Sequence, residues 1–167
     1  MKSVQIMLRV IERYDQSIEE AVKLGCYDIT NPDFNSANFP PDTTKTGKKE
    51  SAVIFFEYHH NATTEEIKAD MDRKGFMPIG PTELLAIGEQ HPLFQEGRTL
   101  PALRSSWTGA DGETYFPCLT EFDGERVLSL IFVVKGRWPE EFLFGAVPKG
   151  AYVLPPSNLP RRKSNMM

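Results

Sequence analysis

Three turn dipeptides, set about twelve residues apart, constrain this chain more than any other feature. They are Asp111-Gly112, Asp123-Gly124 and Lys135-Gly136. Glycine reaches positive φ without steric cost and aspartate tolerates it, so Asp-Gly between apolar runs marks a hairpin. Turns at this even spacing predict an antiparallel meander, with strands over about 101–108, 113–121, 126–134 and 142–147. Residues 127–134 are almost all apolar, which predicts the buried strand of the group. Pro117 cannot donate to a ladder, so its strand is expected to lie at an edge or carry a bulge there.

The first half has a different rhythm. Val4, Ile6, Leu8 and Val10 alternate with Gln5, Met7 and Arg9, predicting a strand over 3–12. Ser17 and Glu20 have capping-box spacing, and Ile18, Ala21 and Val22 share one face of the helix that follows. Gly25 is placed to end that helix in the left-handed conformation. Residues 51–58 are apolar on both faces, predicting a central strand. Thr63 and Glu66 open a second helix, Gly75 closes it, and residues 76–79 are a short extended piece. Pro81 suits the first turn of a third helix, which His91-Pro92 stops. The expected class is α+β, a β-α-β-α-β-α first half followed by a four-stranded antiparallel meander. Residues 1–150 are expected to form one domain, and the Pro-rich 151–167 a flexible tail. Residues 30–50 show no apolar period, which marks a lid or a mobile excursion. Phe34 and Phe39 are placed to pin the first half of that loop, while Thr43 to Glu50 reads as solvated.

Composition narrows the functional classes. The 167 residues are 40% apolar and 25% charged, with a net charge of −4. Lys and Arg are scattered apart from Arg161-Arg162-Lys163, so no basic patch favours nucleic acid. No run approaches the roughly 18 apolar residues of a membrane span. The N-terminal stretch is broken by Lys2, Gln5 and Arg9 and lacks the pattern of a signal peptide. Two distant cysteines, Cys26 and Cys118, make no disulfide framework. The expected home is a reducing cytoplasm, with no membrane and no nucleic acid as partner.

The stretch from Lys74 to Gly88, followed by His91-Pro92 and by Leu100 to Trp107, carries a resemblance. It is similar to a recurring type of small bacterial and mobile-element protein with a Gly-aromatic-x-Pro block, then Thr-x-Glu-Leu-Leu-Ala, before a β-rich end. This chain departs from that block at Ile79-Gly80, where Ala-Thr is usual, and at Phe144-Gly145, where a basic-aromatic pair is usual. The resemblance implies a bacterial, phage or mobile-element origin and brings no catalytic residues with it. Thr82, Glu83, Leu84, Ser105, Ser106 and Trp107 also resemble the order found in C-type-lectin-like modules, without those modules' cysteine pairs or calcium carboxylates.

Candidate chemistry is sparse. Glu57 and His59 would share one face of a strand end, and His is suited to proton transfer near neutral pH. A metal site needs a third ligand, and none stands at diagnostic spacing, so no metal and no cofactor is expected. Cys118 lacks a neighbouring base, and Cys26 follows a helix C-terminus, where the dipole would raise a thiol pKa. Ser105-Ser106 lacks a glycine elbow, and Thr46-Gly47-Lys48-Lys49 lacks the upstream glycine of a phosphate loop. More suggestive are two basic-aromatic pairs, Arg104 with Trp107 and Arg137 with Trp138, because Trp and Arg are enriched at binding hot spots. The Pro139-Glu140-Glu141 turn marks Trp138 as the more exposed of the two. These residues predict a small non-enzymatic factor that binds another protein, with homo-oligomerisation left open. Two alternatives stand beside it. One is a hydrolase using Glu57 and His59 under a 30–50 lid. The other is a small-molecule-binding domain with its pocket between the sheet and the 82–90 helix.

Overall fold

The alternating segment at the start forms strand β1, Lys2–Arg13, in a computed structural model that describes residues 2–150, with side chains from Ile6 onward. Helix α1 spans Ile18–Gly25, and the Ser17 hydroxyl accepts the Glu20 N–H as expected. A short strand β2, Ile29–Thr30, follows, and β3 runs Lys48–Glu57. Helix α2, Thr64–Arg73, begins with the reciprocal capping box between Thr63 and Glu66. Strand β4 is Phe76–Pro78 and helix α3 is Pro81–Gln90. The remaining strands are β5 (Leu100–Pro101), β6 (Trp107–Thr108), β7 (Thr114–Phe122), β8 (Glu125–Phe132) and β9 (Leu143–Pro148). The class is α+β. The first half differs from strict strand–helix alternation, because β2 and β3 follow one another without a helix between them. Residues 151–167, expected to be a tail, lie outside the described residues.

Two sheets form. The first has the order β1-β3-β9-β4, antiparallel throughout. The second has the order β2-β8-β7-β5, with β6 also on β7, and its β2–β8 pair is parallel. The Asp123-Gly124 turn joins β7 to β8 with both residues at positive φ, 49° and 77°, the geometry of a two-residue hairpin. Asp111-Gly112 lies in the turn between β6 and β7. The expected four-stranded meander stops after β8, and its expected first strand, 101–108, is instead two short strands, β5 and β6, each paired separately with β7. Residues Val134–Gly136 form a turn with Lys135 and Gly136 at positive φ, and β9 leaves for the first sheet, inserting between β3 and β4. Trp138 supplies the physical reason. Its backbone N–H donates to the Ala62 carbonyl at 2.8 Å and its ring is buried beside α2, which carries the chain away from β8.

Two further expectations are corrected. Residues 127–134 are buried only at their start, at Val127 and Leu128, while Phe132 is 41% and Val134 67% exposed. Pro117 sits in β7, which has partners on both sides. Its carbonyl accepts Ala102 N–H at 2.8 Å, so its missing donor points to the same side. On that side β5 pairs only with 118–119 and β6 with 114–115, and the proline occupies the gap.

The first sheet is covered on both faces. Val10, Val53, Phe55, Leu143 and Val147 share one core with Leu84, Leu85 and Ile87 of α3 and with Leu119 and Leu128 of the second sheet. Phe56, Phe144 and Ala146 share the other with Ile67 and Met71 of α2, Phe116 and Trp138. Two tertiary devices hold the helices in place. Tyr27 fills the space left by two glycines, since a Cβ on Gly25 would lie 2.2 Å, and one on Gly88 1.8 Å, from its ring or hydroxyl. Cys26, not Gly25, takes the left-handed position, at φ 51°. Arg126 reaches from β8 to donate to the carbonyls of Gly25 and Gly88, both at 2.6 Å, placing a cation where those helices end or near their end. The outer edge of β1 is also closed. The Gln90 amide both accepts from Ile11 N–H and donates to Ile11 C=O at 2.8 Å, and His91 Nε2 bonds the Arg9 carbonyl.

Candidate functional site

The four residues singled out by their basic-aromatic pairing go to different places. Trp138 is buried, at 1% exposure, with Phe116, Phe142 and Phe144 around its ring at centroid distances of 5.5–6.1 Å. Its indole N–H donates to the Thr64 hydroxyl at 2.9 Å. It is therefore a core residue, contrary to the expectation from the following turn. Pro139-Glu140-Glu141 is exposed, but it follows a ring already committed to the interior. Arg137 stays at the surface and donates to the Asn61 carbonyl at 2.9 Å.

Trp107 is half-buried and belongs to a row of aromatics. The register pairs Trp107 with Tyr115 and Tyr115 with Phe132, so the three rings stand side by side across β6, β7 and β8. Their centroids are 5.8 and 5.5 Å apart. Directly opposed aromatic pairs stabilise one another in an antiparallel sheet. Tyr115 donates to the Asp111 carboxylate at 2.5 Å. That bond raises the phenol's pKa above its ordinary value and lowers that of Asp111. Phe132 and Val134 leave the outer end of the row open to water. Tyr115 and Phe132 were legible in advance, because a two-residue turn at Asp123-Gly124 places residues equidistant from it opposite each other.

Arg104 turns the other way, toward α3. Its Nε donates to the Pro78 carbonyl at 2.8 Å, and its Nη1 pairs with the Glu83 carboxylate at 2.6 Å. Glu83 is 2% exposed and also accepts the Gly80 N–H at 3.1 Å. The Arg104 N–H donates to the Ile79 carbonyl. The two stretches of sequence flanking residues 89–99 therefore meet at Arg104, through both its backbone and its side chain. The pair borders a cleft of about 190 Å³ between the end of β1, the 39–45 segment and the first turn of α3. Tyr14 lines the same cleft and donates to the buried Glu12 carboxylate. Burial, then the Glu12 contact, pushes its phenol above its ordinary range. The loop that forms one wall is pinned as its phenylalanines suggested, with Phe34 and Phe39 buried edge-to-face at 5.1 Å.

Glu57 and His59 do not form a constellation. β3 ends at Glu57, His59 lies in the exposed bend beyond it, and His60 approaches Glu66 at 3.8 Å. Among the described residues no group of three or more His, Cys, Asp or Glu side chains is placed to hold a metal ion. Cys118 is buried, and burial pushes its thiol up to about 12, so it is protonated and inert at neutral pH. No helix among the described residues is long and apolar enough to cross a membrane. No family model, no curated protein and no solved structure matches this chain.

Proposed function

We propose that the protein is a non-enzymatic accessory factor, of bacterial, phage or mobile-element type, that binds another protein in the cytoplasm. The observation that carries this reading is the aromatic row Trp107–Tyr115–Phe132, continued by the exposed Val134. Large rings held rigid by cross-strand neighbours offer contact area at little cost in conformational entropy. An apolar group of this kind beside cationic side chains, here Lys135 and Arg137, has the composition of a binding hot spot. Trp138 is no longer part of that surface, and Arg104 contributes to a different one. The resemblance of residues 74–107 to small bacterial and mobile-element proteins is in keeping with an accessory role.

The test is affinity capture with the whole chain as bait, run beside a Trp107→Ser/Phe132→Ser variant whose circular dichroism is unchanged. The expected result is a specific partner retained by the parent chain and lost by the variant. Equal capture by both would remove the aromatic row from the binding surface.

A further inference from the structure

The cleft beside Arg104 has more hydrogen-bond donors than acceptors left to use. Of its carboxylates, Glu83 is engaged at both oxygens, by Arg104 and the Gly80 N–H, while Asp42 is engaged at Oδ1 alone, by the Thr44 N–H and hydroxyl, and its charge is felt by Lys45 and Arg104. Arg13, also on its wall, is paired with Glu89 at 2.6 Å. The free donors are different. Arg104 is held by Pro78 at Nε and by Glu83 at Nη1, which fixes the plane of its guanidinium and leaves Nη2 with no partner. A donor closed to water and unpaired is costly, and such a group calls for a missing acceptor. Lys45 stands over the Tyr14 ring at 5.3 Å from its centroid and forms no ion pair among the described residues. Thr82 and Ser105 line the cleft, and their hydroxyls make no hydrogen bond among the described residues.

We propose that this cleft binds a small molecule through a carboxylate, with Lys45 and Arg104 as its cationic contacts and the Thr82 and Ser105 hydroxyls as additional donors. Arg is suited to such a role because its planar fork matches a carboxylate, and here two protein contacts orient it before the ligand arrives. Phe39, Pro40, Pro41 and Ile18 form the apolar part of the wall, against which a short carbon skeleton packs. The volume limits its length. About 190 Å³ is below the roughly 300–1,000 Å³ of drug-sized pockets, so the ligand is an acid of a few carbons. Nη2 is closed to solvent while the side chain as a whole is 27% exposed, so a ligand contact at Nη2 itself would require the groups over it to move. This site is independent of the aromatic row.

Titration of the ¹⁵N-labelled full chain tests it, using succinate, glutarate and glutamate, then succinamide and glutaramide as the uncharged amides of the first two, then inorganic phosphate. Saturable shifts of the Lys45, Thr82 and Ser105 amide resonances are expected with at least one acid at millimolar concentration. The matching amide should bind roughly tenfold more weakly, since charge-assisted bonds are about twice as strong as neutral ones. Lys45→Ala, at an exposed position, should weaken the acid several-fold with the fold intact, and Arg104→Lys should weaken it further. Four outcomes would overturn the proposal: no saturable shift with any of the three acids, equal binding of acid and amide, affinity unchanged in both variants, or phosphate binding as tightly as the acids.

Discussion

Trp107 and Trp138 each have an arginine close by in the sequence, and the fold treats them oppositely. Around Trp138 the tryptophan is the interior group and Arg137 the exposed one. Around Trp107 the arginine is the tethered group, held at Glu83 and Pro78, while the ring stands half-open at the end of a sheet. An indole next to a guanidinium therefore does not by itself signal a surface. The surroundings on the far side of the ring decide it. Trp138 meets three other aromatics and a hydroxyl for its N–H, whereas Trp107 meets one neighbour in the sheet and then the rim of the core.

That contrast has measurable consequences. Trp138→Ala should lower stability by about 3–5 kcal/mol, the usual cost of emptying a large buried aromatic site. Urea unfolding measures it, and a loss below about 1 kcal/mol would erase the distinction between the two rings. Arg104→Ala comes next, at about 2 kcal/mol, because it strands the buried Glu83 carboxylate; full removal of a buried partner costs more, but this guanidinium is partly exposed. Thr64→Val and Trp107→Ala should each cost about 1 kcal/mol, the first by leaving the Trp138 N–H without an acceptor, the second by removing a half-buried ring. Arg137→Ala should stay within about 0.5 kcal/mol, since the side chain is exposed and makes one bond to a carbonyl. If Arg137→Ala proved as costly as Arg104→Ala, the two arginines would not differ in the way their contacts indicate.

The smallest effect at neutral pH belongs to Cys118. Its thiol titrates near 9 when unperturbed and is pushed up to about 12 by burial. Below pH 9 both folded and unfolded chains keep the proton, and the thiol's contribution is fully present. Between about 9 and about 12 the unfolded chain gives up the proton while the folded one holds it, so stability falls as pH rises through that window. Denaturant midpoints measured across alkaline pH, for the parent chain and Cys118→Ala, should converge only above about pH 9. In the folded protein a thiol reagent should label the exposed Cys26 and leave Cys118 untouched until denaturant is added.

Much of the local structure was legible because its signals act over a few residues. The Ser17 and Thr63 caps, the proline at the head of α3 and the Asp123-Gly124 hairpin each satisfy or set backbone groups within one turn. The pairing of Tyr115 with Phe132 follows from the Asp123-Gly124 turn by counting outward, whereas the same count from Asp111-Gly112 would set Trp107 opposite Phe116, one residue off its actual partner Tyr115. The Lys135-Gly136 pair failed as a hairpin for an instructive reason. Its residues do adopt positive φ, at 56° and 72°, as a turn dipeptide should. What comes next was not local: Trp138 gains more by burial near α2 than β9 would by extending the second sheet. The cleft was equally hidden, because Tyr14, the 39–45 segment, Glu83 and Arg104 come from four parts of the chain.

The sequence by itself determined the three helices, the strands β1, β3, β4, β7, β8 and β9 to within a few residues and where the tight turns fall, since caps, glycines and side-chain alternation restrict φ and ψ in place; it showed neither β2 nor the break between β5 and β6. Tertiary structure alone decided which sheet β9 joins, which tryptophan is buried and which arginine finds a carboxylate. Those outcomes depend on competition among distant surfaces for burial and pairing, and no window of neighbouring residues contains both competitors.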